Sequence, residues 1–322
     1  MPAETLERPP RPAASYQEAI ERVRTLQRQD AAKDLNPRGH TWLLGPGGAL
    51  DPGGGQRTGR VYVCLHGLTN SPQQYVALAK RLLARGDATV LIPRIPRHGF
   101  ADRMTTVLAR LTETELVDAT AEAVDLAAGL GHEVIVTGIS LGGVLAMWAA
   151  QFRPVARVVI VAPSFGLPFF PSFTIAPLAA LVLRVGNRYV WWDPRKKENL
   201  PGPDYAYPRF PSHALARIQR LGLRLDEVAG VAPPAASAVW VVTNAADLAV
   251  NNGQISRLAE RWQRAGATNV RRYEFPRRLH LFHDIIDPEQ PYQKVAITHP
   301  VLERIIADDE LPSAAEPLGA GR

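Results

Sequence analysis

The sequence predicts an α/β chain: a mostly parallel, twisted sheet with helices on both faces, interrupted by one long insertion. Short runs of branched apolar residues alternate with stretches of helical length and periodicity, which is how buried parallel strands and their crossover helices read. The alternation lapses for about 70 residues and then resumes, where a connection inside such a unit normally takes about 2 to 6. Between one apolar run and one helix stands GISLGG (138–143), a glycine-flanked serine at a strand-to-helix turn.

The elements follow in order. SYQEAIERVRTLQRQ (15–29) spaces Tyr16, Ala19, Ile20, Val23 and Leu26 as one helical face behind a capping Ser15. TWLLG (41–45), a glycine-rich turn and RVYVCLH (60–66) read as strand, turn, strand. A helix near 72–85 precedes a buried strand in ATVLIPRI (88–95), and Thr112 with Glu115 forms a capping-box pattern before the next helix. EVIVTGIS (133–140), LGGVLAMWAAQF (141–152) and RVVIVAPS (157–164) read as strand, helix, strand. After the gap come AVWVVTNA (238–245), a helix near 255–265, NVRRYEF (269–275) and a last helix near 301–307. The expected organisation is a core of 14–163 and 235–310, a cap inserted at 164–234, and disordered tails at 1–13 and 311–322, where Pro, Ala, Gly and charge prevail.

Composition narrows the classes. A chain of 322 residues with 46% hydrophobic residues can bury a sizeable core. The net charge of +6 is spread over scattered arginines, with PRKK (194–197) and PRR (276–278) the densest points, so no nucleic-acid partner is expected. Cys64, the one cysteine, sits in an apolar run and reads as a packed thiol in a reducing, cytoplasmic setting. The proline-rich N-terminus has no apolar signal core. FTIAPLAALVLRV (173–185) falls short of the ~20 residues that cross a bilayer, but as a greasy lid it can touch lipid. The histidines do not fall at metal-ligand spacing with cysteines or carboxylates, and neither a metal nor a cofactor is expected. The oligomeric state is left open.

GISLGG carries the chemistry. In Gly-x-Ser-x-Gly at a strand-to-helix turn the serine occupies a strained nucleophile elbow, and side chains at Gly138 or Gly142 would collide with the neighbouring elements. The bland alternative is a glycine-rich turn with Ser140 as an ordinary cap. A serine hydroxyl needs a base, and the base an anion that fixes its tautomer. Asp247, in AADLAVNN (245–252) after a strand, supplies the carboxylate, with helix capping as its competing role. PRRLHLFHDIIDP (276–288) supplies two histidines; His283 is the preferred base and His280 the alternative.

The order Ser140, Asp247, His283 on an alternating α/β chain, with a cap after the sixth strand, resembles the α/β-hydrolase fold. HGLTNSPQQY (66–75), PRIPRHG (93–99) and GISLGG resemble its carboxylesterase and monoacylglycerol-lipase-like branch, and the resemblance spans 60–307. It implies Ser140 as nucleophile, Asp247 as acid and His283 as base, with the backbone N–H groups of Leu68 and Leu141 as oxyanion hole and His66 and Gly67 shaping the turn before Leu68. The implied activity is ester hydrolysis through an acyl-enzyme, with no cofactor. Thioesters, lactones or acyl transfer would use the same groups, and a non-catalytic ligand-binding member of the fold is the competing class. Within the cap, Phe165 and Phe169 are expected to line an acyl pocket, and Trp191 and Trp192 to wall it or anchor the cap. That apolar roof favours medium or long-chain or monoacylglycerol-like esters.

Overall fold

The computed structural model describes residues 6–46, 54–168 and 170–308. Seven strands form the main sheet: β1 (Trp42–Leu44), β2 (Thr58–Leu65), β3 (Ala88–Ile92), β4 (Gly131–Ile139), β5 (Arg157–Val161), β8 (Val239–Asn244) and β9 (Val270–Phe275). Their spatial order is β1-β3-β2-β4-β5-β8-β9, and every pairing is parallel except β1 with β3. The strands of the strand, turn, strand pattern form but do not pair with each other, since β3 lies between β1 and β2. Val158 to Val161 and Val239 to Val242 are buried throughout, as strands covered on both faces must be.

Around the sheet stand α1 (Tyr16–Ala31), α2 (Gln73–Leu83), α3 (Glu113–Ala127), α4 (Leu141–Phe152), α7 (Asn252–Arg264) and α8 (Val295–Ala307). Ser15 caps α1 and accepts the Glu18 N–H, while Thr112 and Glu115 close a full capping box on α3. Helix α4 is apolar save for Gln151 and buried along nearly its whole length, which places it at the centre of the core. Helix α8 starts earlier than the sequence pattern suggested and runs through Pro300. Its first turns are held by side-chain bonds from Thr298 to the Ile285 carbonyl (2.7 Å) and from His299 to the Ile286 carbonyl (2.8 Å). Those tertiary bonds offset the backbone bond a proline removes.

The long excursion leaves β5, the fifth strand of the chain among the described residues and not the sixth, since one antiparallel strand precedes β2 in the described chain. It contains α5 (Ser172–Val182), a separate two-stranded sheet of β6 (Tyr189–Trp191) and β7 (Arg209–Pro211), and α6 (Ser212–Ala229). Helix α6 packs on α4 with Ala214, Ile218, Leu221 and Leu225 buried, so it belongs to the helical layer over the sheet. The stretch before it stands over the strand ends.

The N-terminal segment departs from the expected tail. Residues 1–5 and 309–322 lie outside the described residues, but 6–13 are packed. Leu6 is buried, and its carbonyl accepts the Trp148 indole N–H at 2.7 Å. The Arg11 N–H donates to Asp125 Oδ2 and the Ala13 N–H to the Asp125 carbonyl. Composition marks this stretch as a disordered tail; a handful of buried anchors is enough to dock residues 6–13.

The register brings the carboxyl ends of the parallel strands together: Leu65 lies beside Gly138, Ile139 beside Val161, and Asn244 beside Phe275. Loops leaving these ends therefore converge on one edge of the sheet, the crevice where open α/β sheets bind ligands.

Candidate active site

Ser140 follows β4 with φ 58° and ψ −115°, a backbone conformation rare for any residue but glycine. Its neighbours dictate the turn. A Cβ on Gly138 would stand 2.0 Å from the Gly142 carbonyl oxygen, and one on Gly142 would stand 1.9 Å from that of Leu65. No side chain fits at either place. The Ser140 N–H donates to the Val161 carbonyl and its own carbonyl accepts from Ser164 and Val144, so the strained residue is fixed from both sides.

Asp247, in the loop after β8, and His283, in the loop after β9, meet with Nδ1 to Oδ2 at 2.7 Å. Burial of Asp247 disfavours its charge, but His283 and the N–H groups of Ala249 and Val250 outweigh that and hold its carboxyl below the ordinary value. Burial likewise pulls the His283 imidazole down, and the charge and hydrogen bond of Asp247 together with the nearby Asp284 carry it above its ordinary 6.5. With Nδ1 engaged, Nε2 is left for the pocket. His280, the alternative base, is exposed at the end of a short 3-10 turn and does not line the cavity that holds Ser140 and His283.

Ser140 and His283 line one cavity of about 340 Å³. Its polar side is made by Gly67, Asn70, Gln74 and Asp284, and its apolar side by Trp192, Pro203, Tyr207, Phe282 and Tyr292. Phe282 and Tyr292 stack at 5.3 Å between ring centroids. Of the pocket residues expected from the sequence, Trp192 lines the cavity, its indole N–H donating to Thr69 Oγ1 at 2.8 Å. Trp191 is not in that lining and instead lies near the Arg209 guanidinium. Phe165 is fully buried against Gly222 in the core, because the chain turns inward directly after β5. Phe169 lies outside the described residues.

The loop after β2 forms the other wall. His66 is fully buried: its Nδ1 bonds the Gly67 carbonyl (3.1 Å) and its Nε2 faces the Ile95 N–H (3.1 Å). A carbonyl can only accept and an N–H only donate, so the ring is the neutral Nδ1–H tautomer. Burial, with His98 beside it, depresses its basicity well below the ordinary value. The carbonyl and the N–H of a trans peptide point oppositely, so drawing the Gly67 carbonyl toward His66 turns the Leu68 N–H away from it. Among the described residues neither the Leu68 nor the Leu141 N–H has a hydrogen-bond partner. The PRIPRHG loop that supplies Ile95 is itself pinned where Gly39 and Gly99 approach too closely for any side chain.

Two further carboxylates follow the base in the chain, Asp284 beside it and Asp287 buried behind Asn70 and Tyr205. Asp284 Oδ1 accepts the Ile286 and Asp287 N–H groups, both at 3.0 Å, and Oδ2 accepts from Gln74 at 2.7 Å and Asn70 at 3.3 Å. Asp287 accepts the Tyr205 hydroxyl at 2.8 Å; burial and the neighbouring Asp284 push its carboxyl up to about 6. Gln74 and Asn70 stand in the motif HGLTNSPQQY but are ordinary turn and helix-start residues by pattern, and only tertiary pairing gives them a role. Among the described residues no group of three or more His, Cys, Asp or Glu side chains is arranged to hold a metal, and no helix is long and apolar enough to cross a membrane.

The site thus brings a strained serine and a carboxylate-paired imidazole to one cavity, with Leu68 among its lining residues and the Leu141 N–H directly after the serine. The model of the alpha/beta hydrolase family matches residues 62–298. Among solved structures, the monoacylglycerol lipase of Paleococcus ferrophilus is similar with a TM-score of 0.58 at 19% identity, over 84% of this chain and 98% of that one. A metagenome-derived lipolytic enzyme, from the pair LipS and LipT, is similar with 0.56 at 20%, over 85% and 98%. Est1E of Butyrivibrio proteoclasticus, with ferulic acid bound, gives 0.53 at 16%, over 84% and 94%. At these identities the likeness is one of fold. No curated protein matches the sequence.

Proposed function

The chain belongs to the alpha/beta hydrolase family, and we propose that within it the protein is a serine carboxylic-ester hydrolase that works through an acyl-enzyme. The observation that carries this reading is that Ser140, at its strained turn, and the Asp247-paired His283 line one cavity.

In the reaction, His283 Nε2 takes the hydroxyl proton as Ser140 Oγ attacks the ester carbonyl, and Asp247 stabilises the imidazolium through Nδ1. The negative oxygen of the tetrahedral intermediate is met by the N–H groups of Leu68 and Leu141. Collapse expels the alcohol, which takes the proton from His283. Water, deprotonated by the same imidazole, then attacks the acyl-enzyme and releases the acid.

The wall of Trp192, Tyr207, Phe282 and Tyr292 supports medium or long-chain acyl groups or monoacylglycerol-like esters as substrates, and of the insertion at 164–234 the part before α6 acts as the cap, since α6 packs on α4. The exposed Phe173, Leu181 and Val185 on and after α5 give this cap an apolar outer face for weak contact with a lipid surface. The buried Cys64 thiol suits a cytoplasmic setting. Thioesters, lactones or acyl transfer would use the same groups and are separated by a substrate panel.

A fluorophosphonate probe tests the mechanism. It should label the purified protein, and Ser140→Ala should abolish both labelling and hydrolysis of p-nitrophenyl esters. Absence of labelling, or labelling that survives Ser140→Ala, overturns the reading.

A further inference from the structure

Gln74, buried at the start of α2, has its two amide atoms engaged by two different loops. Its Oε1 accepts the Gly67 N–H at 2.7 Å, and its Nε2 donates to Asp284 Oδ2 at 2.7 Å. One neighbour can only donate and the other only accept, so the orientation of the amide is set by both. Gly67 is the residue whose peptide carries the Leu68 N–H, and Asp284 is covalently next to His283. A single side chain therefore ties the loop that stabilises negative charge to the loop that carries the base.

We propose that Gln74 and Asp284 are positioning residues that hold the Leu68 N–H and His283 in register with each other for the reaction. The inference rests on the serine-hydrolase reading above. Asp284 is suited to the task because its two oxygens divide the work: Oδ1 fastens it to the backbone of Ile286 and Asp287, and Oδ2 reaches across to Gln74 and Asn70. Gly67 is held on both sides: Gln74 takes its N–H, in the peptide from His66, and His66 takes its carbonyl, in the peptide that carries the Leu68 N–H, so the two peptides flanking Gly67 are both fixed and the Leu68 N–H has little freedom to turn. The effect belongs to the transition state. The ground-state ester does not depend on the Leu68 N–H for its acyl-chain contacts, whereas the tetrahedral oxyanion does.

The test uses active-site-titrated full-length protein and three single variants, Gln74→Met, Asp284→Asn and Gln74→Glu, with the Gln74→Met/Asp284→Asn double. Gln74→Met keeps the volume and removes both bonds. It should lower kcat per labelled site by at least about tenfold, leave KM within about threefold, and weaken a trifluoromethyl ketone, which forms the tetrahedral oxyanion, by the same factor as kcat. Asp284→Asn cannot accept at both oxygens and should behave alike. The double variant should be little worse than either single, because the two residues act as one link.

Gln74→Glu adds a readout that a purely structural role would not move. Its carboxyl can accept from Gly67 but faces Asp284 as a second acceptor, with Asp287, His283, Asn70 and Tyr205 around them. A proton shared between the two carboxyls restores the link, so the kcat of this variant relative to wild type should rise as pH falls.

If labelled wild type and Gln74→Met turn over equally, if only KM or thermal stability changes, or if the single effects multiply in the double, the proposal fails while the serine-hydrolase reading stands. If wild type is not labelled at all, the earlier reading fails instead. Should Gln74→Met not fold, Gln74→Glu and Asp284→Asn decide the matter by the same criteria.

Discussion

His283 Nδ1 and Asp247 Oδ2 lie 2.7 Å apart, with the Asp247 side chain wholly buried and the imidazole opening onto the cavity that holds Ser140. The pair favours the imidazolium, and its sign fixes a pH dependence. The base works only when neutral, and its proton is held more tightly than in a free histidine, so kcat/KM should fall on the acid side with a midpoint above 6.5. Asp247→Asn removes the charge: the acid limb should move to lower pH, and kcat should drop by roughly 10³ to 10⁴-fold. A pH–rate profile of both proteins checks this, and an unshifted limb in the variant would assign the titration to another group.

Backbone strain at Ser140 should be visible as stability. With φ at 58° the serine occupies a region that glycine enters freely and other residues enter at a cost. Ser140→Gly should therefore be more stable than Ser140→Ala by ~1 kcal/mol, both being inactive. Denaturant melts of the two variants measure it; equal midpoints would mean the elbow is not strained.

Asp125 and Arg153 form a buried ion pair, with Nε to Oδ1 at 2.7 Å, and the same residues receive the N-terminal segment: Arg153 donates to the Arg8 carbonyl, and Asp125 accepts the Arg11 N–H. Asp125→Ala strands the guanidinium and should destabilise the fold by about 3 to 5 kcal/mol. It should also release residues 6–13, which limited digestion with a glutamate-specific protease would detect as early cleavage after Glu7.

These relationships were legible in the sequence to different degrees. Strand and helix identities come from short-range pattern: LGGVLAMWAAQF is apolar save for Gln151 because its helix is buried almost all round, and the serine turn is readable because sterics demand glycine at 138 and 142. Asp247 and His283, which the structure pairs at 2.7 Å, are candidates by sequence because the chemistry names residue types and the chain order leaves few carriers. The pocket was not. Phe165 and Trp192 have similar character in the sequence, but one turns into the core and the other faces the cavity, a choice made by the path of the loop. Phe282 and Tyr292 close the opposite wall from loops with no periodicity to read. The tail at 6–13 failed for the same reason, since its anchors are contacts across more than a hundred residues.

Trp192 holds two jobs that two substitutions can separate. Its ring is half exposed, at 50%, and walls the cavity against Phe210, while its N–H bonds Thr69, the residue after Leu68. A fully buried large side chain contributes about 1.5 to 3 kcal/mol, so a half-covered ring that an acyl chain finishes covering should contribute about 1 kcal/mol to long-chain binding, or roughly fivefold in KM. Trp192→Ala should show that loss for p-nitrophenyl dodecanoate and little change in KM for the acetate, because a short acyl group does not reach the ring. Trp192→Phe keeps an apolar ring but drops the bond to Thr69. It should preserve the chain-length preference while lowering kcat alike for every ester, since Thr69 adjoins the amide that meets the oxyanion. A chain-length series on both variants distinguishes the two. An equal rise in KM from acetate to dodecanoate in Trp192→Ala would remove Trp192 from the acyl wall and leave it only its hold on Thr69.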